Sequence, residues 1–347
     1  MTKEIGSVAR EKSKVFLVSV VIPVYQVSDY VERCLLSVMN QSFKNIECII
    51  VDDCSTDDSI EKCERLIKGY HGPIEFKILH HEVNRGLSAA RNTGTAAAIG
   101  KYLYYLDGDD EITSDCLETL VTIARDYPEA EMVVGNHVRI EKGVVINNLI
   151  KQDTSEYHSN KEIFAAFKKH ELPISAWNKL IKRSFLTQHA ILFIEGIVWE
   201  DTPWSFFVYK NLSNLYVCNQ VTYHYYIRPN SIVTGTDRYT FGKSFSVSYG
   251  VILDNLTKGR EREELDLYAN GFCRCYLEFK STIPAYKHLM KKYKRLSLVY
   301  NSKKVLLKLV IAQHIPFESV ALKTIDNVQS FRKRIKKRRK KTDQYIT

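Results

Sequence analysis

Over its first 134 residues the chain alternates short apolar runs with segments of helical period. Val15 to Ile22 is a β-branched run stopped by Pro23, the pattern of a buried first strand. From Val27 to Met39 apolar residues recur at helical spacing (Val31, Leu35, Val38), with Ser28 placed to cap the helix. Ile46 to Val51 predicts a second strand, broken at Asp52-Asp53-Cys54-Ser55-Thr56-Asp57. Ile60, Cys63, Leu66 and Ile67 predict an amphipathic helix ending near Gly69. Ile74 to Leu79 reads as a third strand, Asn84-Arg85-Gly86 as a turn, and Leu87 to Ile99 as an alanine-rich helix closed by Gly100. The aromatic run Tyr102 to Leu106 follows, then a helix from about Ser114 to Arg125 and a strand from Glu131 to Val134. This alternation predicts an α/β fold, a mostly parallel sheet flanked by helices on both faces.

Periodicity weakens from Lys142 to Glu171, which reads as a loop-rich connection. Trp177-Asn178-Lys179-Leu180-Ile181 lies in the next apolar segment, and Glu200-Asp201 stands between Trp199 and Trp204, ahead of an aromatic helix. Val217 to Tyr226 predicts a last strand running into Ile227-Arg228, and beyond Tyr239 the pattern is helical until about Leu322. The organisation expected is a sheet domain over residues 1–235, a helical region over 236–325 and a basic tail over 326–347. Lys303 to Ile311 (KKVLLKLVI) suits either a membrane interface or a core-facing helix edged with lysine.

Charge adds a second theme. The net charge is +10, yet residues 331–341 alone hold nine Lys or Arg and no acid. Such a tail predicts attachment to an anionic surface, either lipid headgroups or nucleic acid. No run approaches the roughly 18 apolar residues of a transmembrane helix. The eight cysteines form no CxxC pair and mostly sit in apolar runs, and the polar N-terminus is unlike a signal peptide, so reduced cytoplasmic thiols are expected.

The chemistry concentrates where strands end. Asp107-Gly108-Asp109-Asp110-Glu111 sets four carboxylates around one glycine, and like charges this close need a counter-ion. Mg²⁺ or Mn²⁺ is one candidate, since both prefer carboxylate oxygens and bind diphosphates; the other reading is an acidic turn capping the next helix through Thr113 or Ser114. Both this cluster and Asp52-Asp53 follow predicted strands, at the carboxyl edge where open α/β sheets bind ligands. There is no GxGxxG after the first strand and no GxxxxGK[ST] anywhere, which disfavours dinucleotide binding and P-loop chemistry. Glu200-Asp201 reads either as a functional acid pair or as an acidic helix N-terminus.

Taken in order, several motifs resemble family 2 glycosyltransferases of the GT-A fold. They are Val20-Val21-Ile22-Pro23-Val24-Tyr25, Cys34-Leu35-Leu36-Ser37-Val38 with Gln41-Ser42, Val51-Asp52-Asp53 with Ser55-Thr56-Asp57, Asn84-Arg85-Gly86-Leu87-Ser88-Ala89-Ala90-Arg91-Asn92-Thr93-Gly94, Leu106-Asp107-Gly108-Asp109-Asp110, Glu200-Asp201, and Tyr223-His224-Tyr225 through Arg228 and Ser231. The resemblance spans roughly residues 17–235. It implies inverting transfer of a hexose or N-acetylhexosamine from a UDP-sugar, with Mn²⁺ or Mg²⁺, in the synthesis of a surface polysaccharide such as a capsule or O-antigen, or of a glycolipid.

Carried over position by position, Asp53 would hydrogen-bond the uracil, Asp107 would help hold the ribose, and Pro23, Tyr25 and Gly108 would flank the nucleotide. Asp109, the second acid of the D-x-D, would bind the metal, with His224 as a further ligand, and Arg91 and Arg228 would face the diphosphate. Asp201, beside Glu200, would be the general base, its basicity raised by the flanking tryptophans. Trp177, Lys179 and Trp199 would line the acceptor site. The acceptor would be a glycan or lipid-linked oligosaccharide, met at the inner face of the cell membrane to which the basic tail is drawn. Two positions depart from the family: Cys54 stands where glycine is usual, and Thr113-Ser114 where a proline is common. A nucleic-acid-binding protein is the competing reading, though the tail lacks interleaved aromatics and no nucleic-acid partner is expected; a non-catalytic scaffold is the other, against which the intact acid pairs argue.

Overall fold

The computed structural model describes residues 16–146, 156–228 and 231–314; the basic tail lies outside them. The first half follows the predicted alternation: β1 (Val18–Val24), α1 (Val31–Met39), β2 (Ile46–Asp52), α2 (Ser59–Lys68), β3 (Glu75–His80), α3 (Leu87–Ala97), β4 (Tyr102–Tyr105), β5 (Glu111–Ile112), α4 (Cys116–Asp126) and β6 (Met132–Glu141). Then come β7 (Val144–Ile146), β8 (Glu156–Tyr157), α5 (Asn160–Lys168), β9 (Lys179–Lys182), α6 (Arg183–Gln188), α7 (Asp201–Asn211) and β10 (Leu215–Ile227). The short α8 (Ile232–Gly235) leads to α9 (Arg238–Asp254), α10 (Glu261–Phe279), α11 (Ala285–Val299) and α12 (Lys303–His314).

The strands form one sheet in the order β3-β2-β1-β4-β9-β6-β10-β5, with β7 on β6 and β8 on β10. β3, β2, β1 and β4 run parallel, as do β6 and β10, while β9 sits antiparallel between β4 and β6. Successive side chains of a strand leave opposite faces, and β1 shows the consequence. Val18, Val20, Ile22 and Val24 pack with α1 and α4, whereas Val21 packs with Ile49, Leu103 and Tyr105 beneath α3, α5 and α7. A third core, built on Leu265, Phe272, Tyr286, Tyr293, Val305 and Leu309, lies within α9 to α12.

Some expectations need correction. The segment read as loop-rich contains α5, whose Ser159 cap accepts the Glu162 N–H; the polar residues that hid the helix occupy its exposed face. Ser28 does not cap α1, which begins at Val31 after an uncapped Tyr30; its backbone N–H instead donates to Asp57 (3.1 Å), bracing the start of α2. β6 runs on to Glu141, beyond Val134, because its second half alternates polar and apolar residues. α12 buries Val305, Leu309 and Ala312 in the helical core but leaves Leu307 and Val310 exposed. All eight cysteines are unpaired, and seven are buried.

Two packing details place the chemistry. At Gly94 of α3 a Cβ would lie 2.3 Å from Val21 Cγ1, so α3 rides on β1 at a distance that no side chain there permits. Gly108 is similarly confined, since a Cβ would meet the Pro23 carbonyl oxygen at 2.9 Å.

Candidate active site

A cleft of about 1450 Å³ opens at the carboxyl ends of β1, β2 and β4 and is closed on its far side by α9 and α10. It is lined by Pro23, Tyr25, Asp53, Arg91, Asp107, Gly108, Asp109, Trp177, Trp199, Glu200, Asp201 and Arg228, acids from distant parts of the chain meeting at one rim. Among the predicted site residues, only Lys179 and His224 do not line it.

Asp53 follows β2 and is 2% exposed. Its carboxylate accepts the backbone N–H groups of Arg85 (2.8 Å) and Gly86 (2.7 Å) and bonds His81 Nδ1 (2.6 Å). Gly86 takes a φ of 87° as it enters α3, which its lack of a side chain permits. His81, tied also to Thr93 Oγ1 (2.9 Å), carries no motif and escaped the sequence reading. Next to Asp53, Cys54 has a φ of 62°, so cysteine occupies the left-handed conformation that explains the family's usual glycine.

The counter-ions demanded by the acidic loop after β4 are arginines. Arg91, 1% exposed on α3, donates from one nitrogen to Glu200 (2.5 Å) and Asp201 (3.2 Å) and from the other to Asp107 (2.7 Å). Burial alone would lower its pKa, but the carboxylates of Asp107, Asp201 and Glu200 more than offset that and keep it charged. Arg91 lines the cleft, where the resemblance has it face the diphosphate, and there it acts as a hub that fixes three acids. Arg228 pairs with Asp109, whose pKa burial and Asp107 raise and Arg228 pulls back. Asp110 is fully buried and accepts the Tyr223 hydroxyl (2.7 Å) and the Tyr226 N–H (2.8 Å), a structural task. Glu111 accepts from the Tyr226 hydroxyl and bonds His224 Nδ1, both at 2.8 Å, with Arg33 3.6 Å away. His224 is thereby turned onto β5 and away from the cleft, which corrects its expected place as a metal ligand.

Asp201 opens α7, and its side chain keeps 25% of its surface. Burial pushes its pKa up to about 7; Arg91 opposes this, and Glu200 and Asp107 add to it. Desolvation was expected from Trp199 and Trp204. Trp204 is indeed buried, stacked on Phe193 with ring centroids 5.1 Å apart, and so cannot face a sugar. Trp199 does line the cleft, held at a φ of 61° and packed edge-on against Phe241. Lys179 is wholly buried, and its ammonium donates to the Ser175 carbonyl. Burial lowers its pKa while the nearby Asp201 supports its charge. It therefore cannot touch an acceptor, as expected of it, but acts on Asp201 through the electrostatic field.

On the opposite wall Trp177 stacks on Tyr223 (4.4 Å) and Tyr225 (5.5 Å), with His137 edge-on at 4.9 Å. Burial, Lys179 and Arg139 lower the His137 pKa to about 4, so it is neutral. Three arginines line the cleft, and Arg139 of β6 is the one without a carboxylate partner among the described residues. Neither His137 nor Arg139 was found from sequence, because both lie in the part of β6 that polar alternation concealed.

The acids fit a divalent cation only in company. Among the described residues no group of three or more His, Cys, Asp or Glu is arranged to hold an ion by itself. Asp107 and Asp109 sit either side of a confined glycine at the cleft edge, and Mg²⁺ is commonly held by one or two carboxylates together with substrate phosphates.

Comparison with known proteins gives a consistent picture. Residues 19–189 match the family described as glycosyl transferase family 2. The putative glycosyltransferase EpsH of Bacillus subtilis is 31% identical over 261 residues, covering 72% of this chain and 73% of that protein. Glycosyltransferase GlyA of Streptococcus pneumoniae is 34% identical over 224 residues, 62% of this chain; the match spans only 31% of GlyA. Among solved structures, S. aureus TarS 1–349 in complex with UDP-GlcNAc superposes with a TM-score of 0.66 over 92% of both chains at 18% identity, a likeness of fold, here the GT-A fold.

Proposed function

The chain belongs to the family 2 glycosyltransferases, and from that premise we propose that it transfers a hexose or N-acetylhexosamine from a UDP-sugar to a glycan hydroxyl with inversion. The observation that carries this reading is the single cleft in which Asp53, Asp107, Asp109 and Asp201 meet. A UDP-sugar donor is further supported by the UDP-GlcNAc held by the TarS structure of the same fold.

In this reading the uracil sits at the Asp53 end between Pro23 and Tyr25, and the ribose against Asp107. The diphosphate lies along Asp109 and Arg228. Asp109, with Asp107, would hold Mn²⁺ or Mg²⁺ against the diphosphate oxygens, where the ion would offset the negative charge that develops on the leaving group. Arg228 is then released from Asp109 to the phosphates. On the other side, the acceptor sugar rests on Trp177 and Trp199 with its hydroxyl at Asp201. The hydroxyl oxygen attacks the anomeric carbon, its proton passes to Asp201, and the bond to the diphosphate oxygen breaks to release UDP. Attack opposite the leaving group inverts the centre.

Asp201 suits a base because its raised pKa gives it more proton affinity than an ordinary carboxylate. Glu200, paired with Arg91 and 4% exposed, positions rather than reacts. Arg139, unpaired beside the acceptor platform, suits an acceptor that carries phosphate or carboxylate, as lipid-linked oligosaccharides do at their phosphate end. The basic tail would draw the enzyme to the inner face of the cell membrane, where such acceptors lie; a role in surface polysaccharide synthesis follows.

The test is UDP release from a panel of UDP-sugars with Mn²⁺ or Mg²⁺. Asp201→Asn is expected to lose about 10²–10⁴-fold in kcat, and Asp109→Ala to lose stimulation by the cation. Unchanged activity in both variants would remove the mechanism.

A further inference from the structure

Charge in this chain is divided by position. Residues 1–278 hold 31 Lys or Arg against 37 Asp or Glu, whereas residues 279–347 hold 19 against three. The imbalance does not wait for the tail: residues 279–314, within α11 and α12 and their approaches, contain eight lysines, one arginine and no acid. Some of these cations are spent inside the fold. Lys292 pairs with Asp254 of α9, Lys304 with Asp266 of α10 at 2.9 Å, and Lys308 is buried. Lys287, Lys291, Arg295 and Lys303 are exposed and have no carboxylate partner among the described residues.

Their spacing is not random. Lys287, Lys291 and Arg295 fall at four-residue intervals and lead to Leu298 and Val299, so they form one stripe of α11. Lys303, Leu307 and Val310 form one stripe of α12. A short turn joins the helices, and Lys294 of α11 bonds Gln313 of α12, holding them as an antiparallel hairpin. At its surface Leu298 is 63% exposed, Val299 67%, Leu307 50% and Val310 39%. Large aliphatic side chains left in water beside unpaired lysines have the composition of an interfacial helix, apolar residues to enter the headgroup boundary and cations to meet anionic lipid.

We infer that the α11–α12 hairpin is a folded docking face for an anionic lipid bilayer, additional to the charge attraction of the basic tail. Charge complementarity chooses this occupant. A second copy meeting the same face across a two-fold axis would set like charges opposite one another with no acid between them. Nucleic acid is less well matched, because the cations are eight lysines to one arginine and the exposed large apolar side chains among them are aliphatic, Tyr286 and Tyr293 being buried and so not available to stack on bases. The hairpin packs on α9 and α10, and these helices supply Phe245, Tyr249 and Tyr268 to the cleft, so docking here would hold the cleft at a fixed height above the headgroups.

The inference stands apart from the transferase reading, since vesicle binding and UDP release are read separately. The full chain is sedimented with phosphatidylcholine vesicles, with and without phosphatidylglycerol. Binding is expected only with the anionic lipid, and Lys287→Gln, Lys291→Gln and Arg295→Gln together are expected to weaken it by about 100-fold, from roughly fivefold per cation. UDP release in solution should not change, as none of the three lines the cleft. A Leu307→Trp variant, read against the wild-type emission, separates hairpin from tail: its added emission should shift to shorter wavelength and be quenched by brominated lipid. Co-sedimentation without that shift would mean that the tail alone binds, and would overturn the inference. So would tighter binding to duplex RNA than to the vesicles at equal salt, or a concentration-dependent dimer that the charge variants abolish.

Discussion

Removing one carboxylate should make this enzyme work at lower pH. Glu200 and Asp201 lie 2.5 and 3.2 Å from the same nitrogen of Arg91, so these two carboxylate oxygens are at most 5.7 Å apart. At an effective dielectric of about 20, two unit charges at that separation repel by about 3 kcal/mol or more, equivalent to roughly two pKa units. Glu200→Gln removes that repulsion, while the amide oxygen still accepts from Arg91 and preserves the packing. The sign is fixed: a negative neighbour disfavours the ionised form of Asp201 and raises its pKa, so its loss lowers it. The pH profile of kcat/KM for UDP-sugar consumption should keep its rising acid limb but displace it about two units toward acid. The plateau should fall somewhat, because a less basic carboxylate removes the proton less well. An acid limb that stays where it is, or moves toward alkali, would refute the electrostatic account of Asp201.

Other outcomes follow from the same geometry. Arg91→Met leaves three acids without their shared cation and is expected to cost about 3–5 kcal/mol of stability, read from urea unfolding; a loss below 1 kcal/mol would contradict the hub. Cys54→Gly relieves a left-handed cysteine and should stabilise the fold by up to about 1 kcal/mol, seen as a small rise in Tm. A fall in Tm would show that the thiol contributes more than the backbone loses.

The parallel half of the sheet was legible because β1, β2 and β4 are mostly apolar on both faces, the edge strand β3 alternates, and the helices between them keep a 3.6-residue period. The acids at the strand ends were legible for the same reason, as abrupt polar stops in buried runs. What escaped was positioned by alternation or by partners. The second half of β6 reads as polar, so His137 and Arg139 were hidden with it. Lys179 looks like a surface lysine until β9 is inserted between β4 and β6. His224 lies at a strand end as required, but its neighbour Glu111 claims the ring, which no reading of either segment alone could supply. The fate of Arg91 was half visible: its motif announced a functional arginine, yet only the return of α7 to the sheet shows that its charge is already committed.

Gly94 lies one helical turn from Arg91 and bears no functional group at all. Because its bare α-carbon lets α3 settle onto Val21, it sets the depth at which the guanidinium reaches its acids. Any bulkier substituent would lift that turn away from the strand and slacken the whole electrostatic triangle. The alignment of the reacting groups is thus underwritten by an atom that is missing, at a position no search for chemistry would inspect.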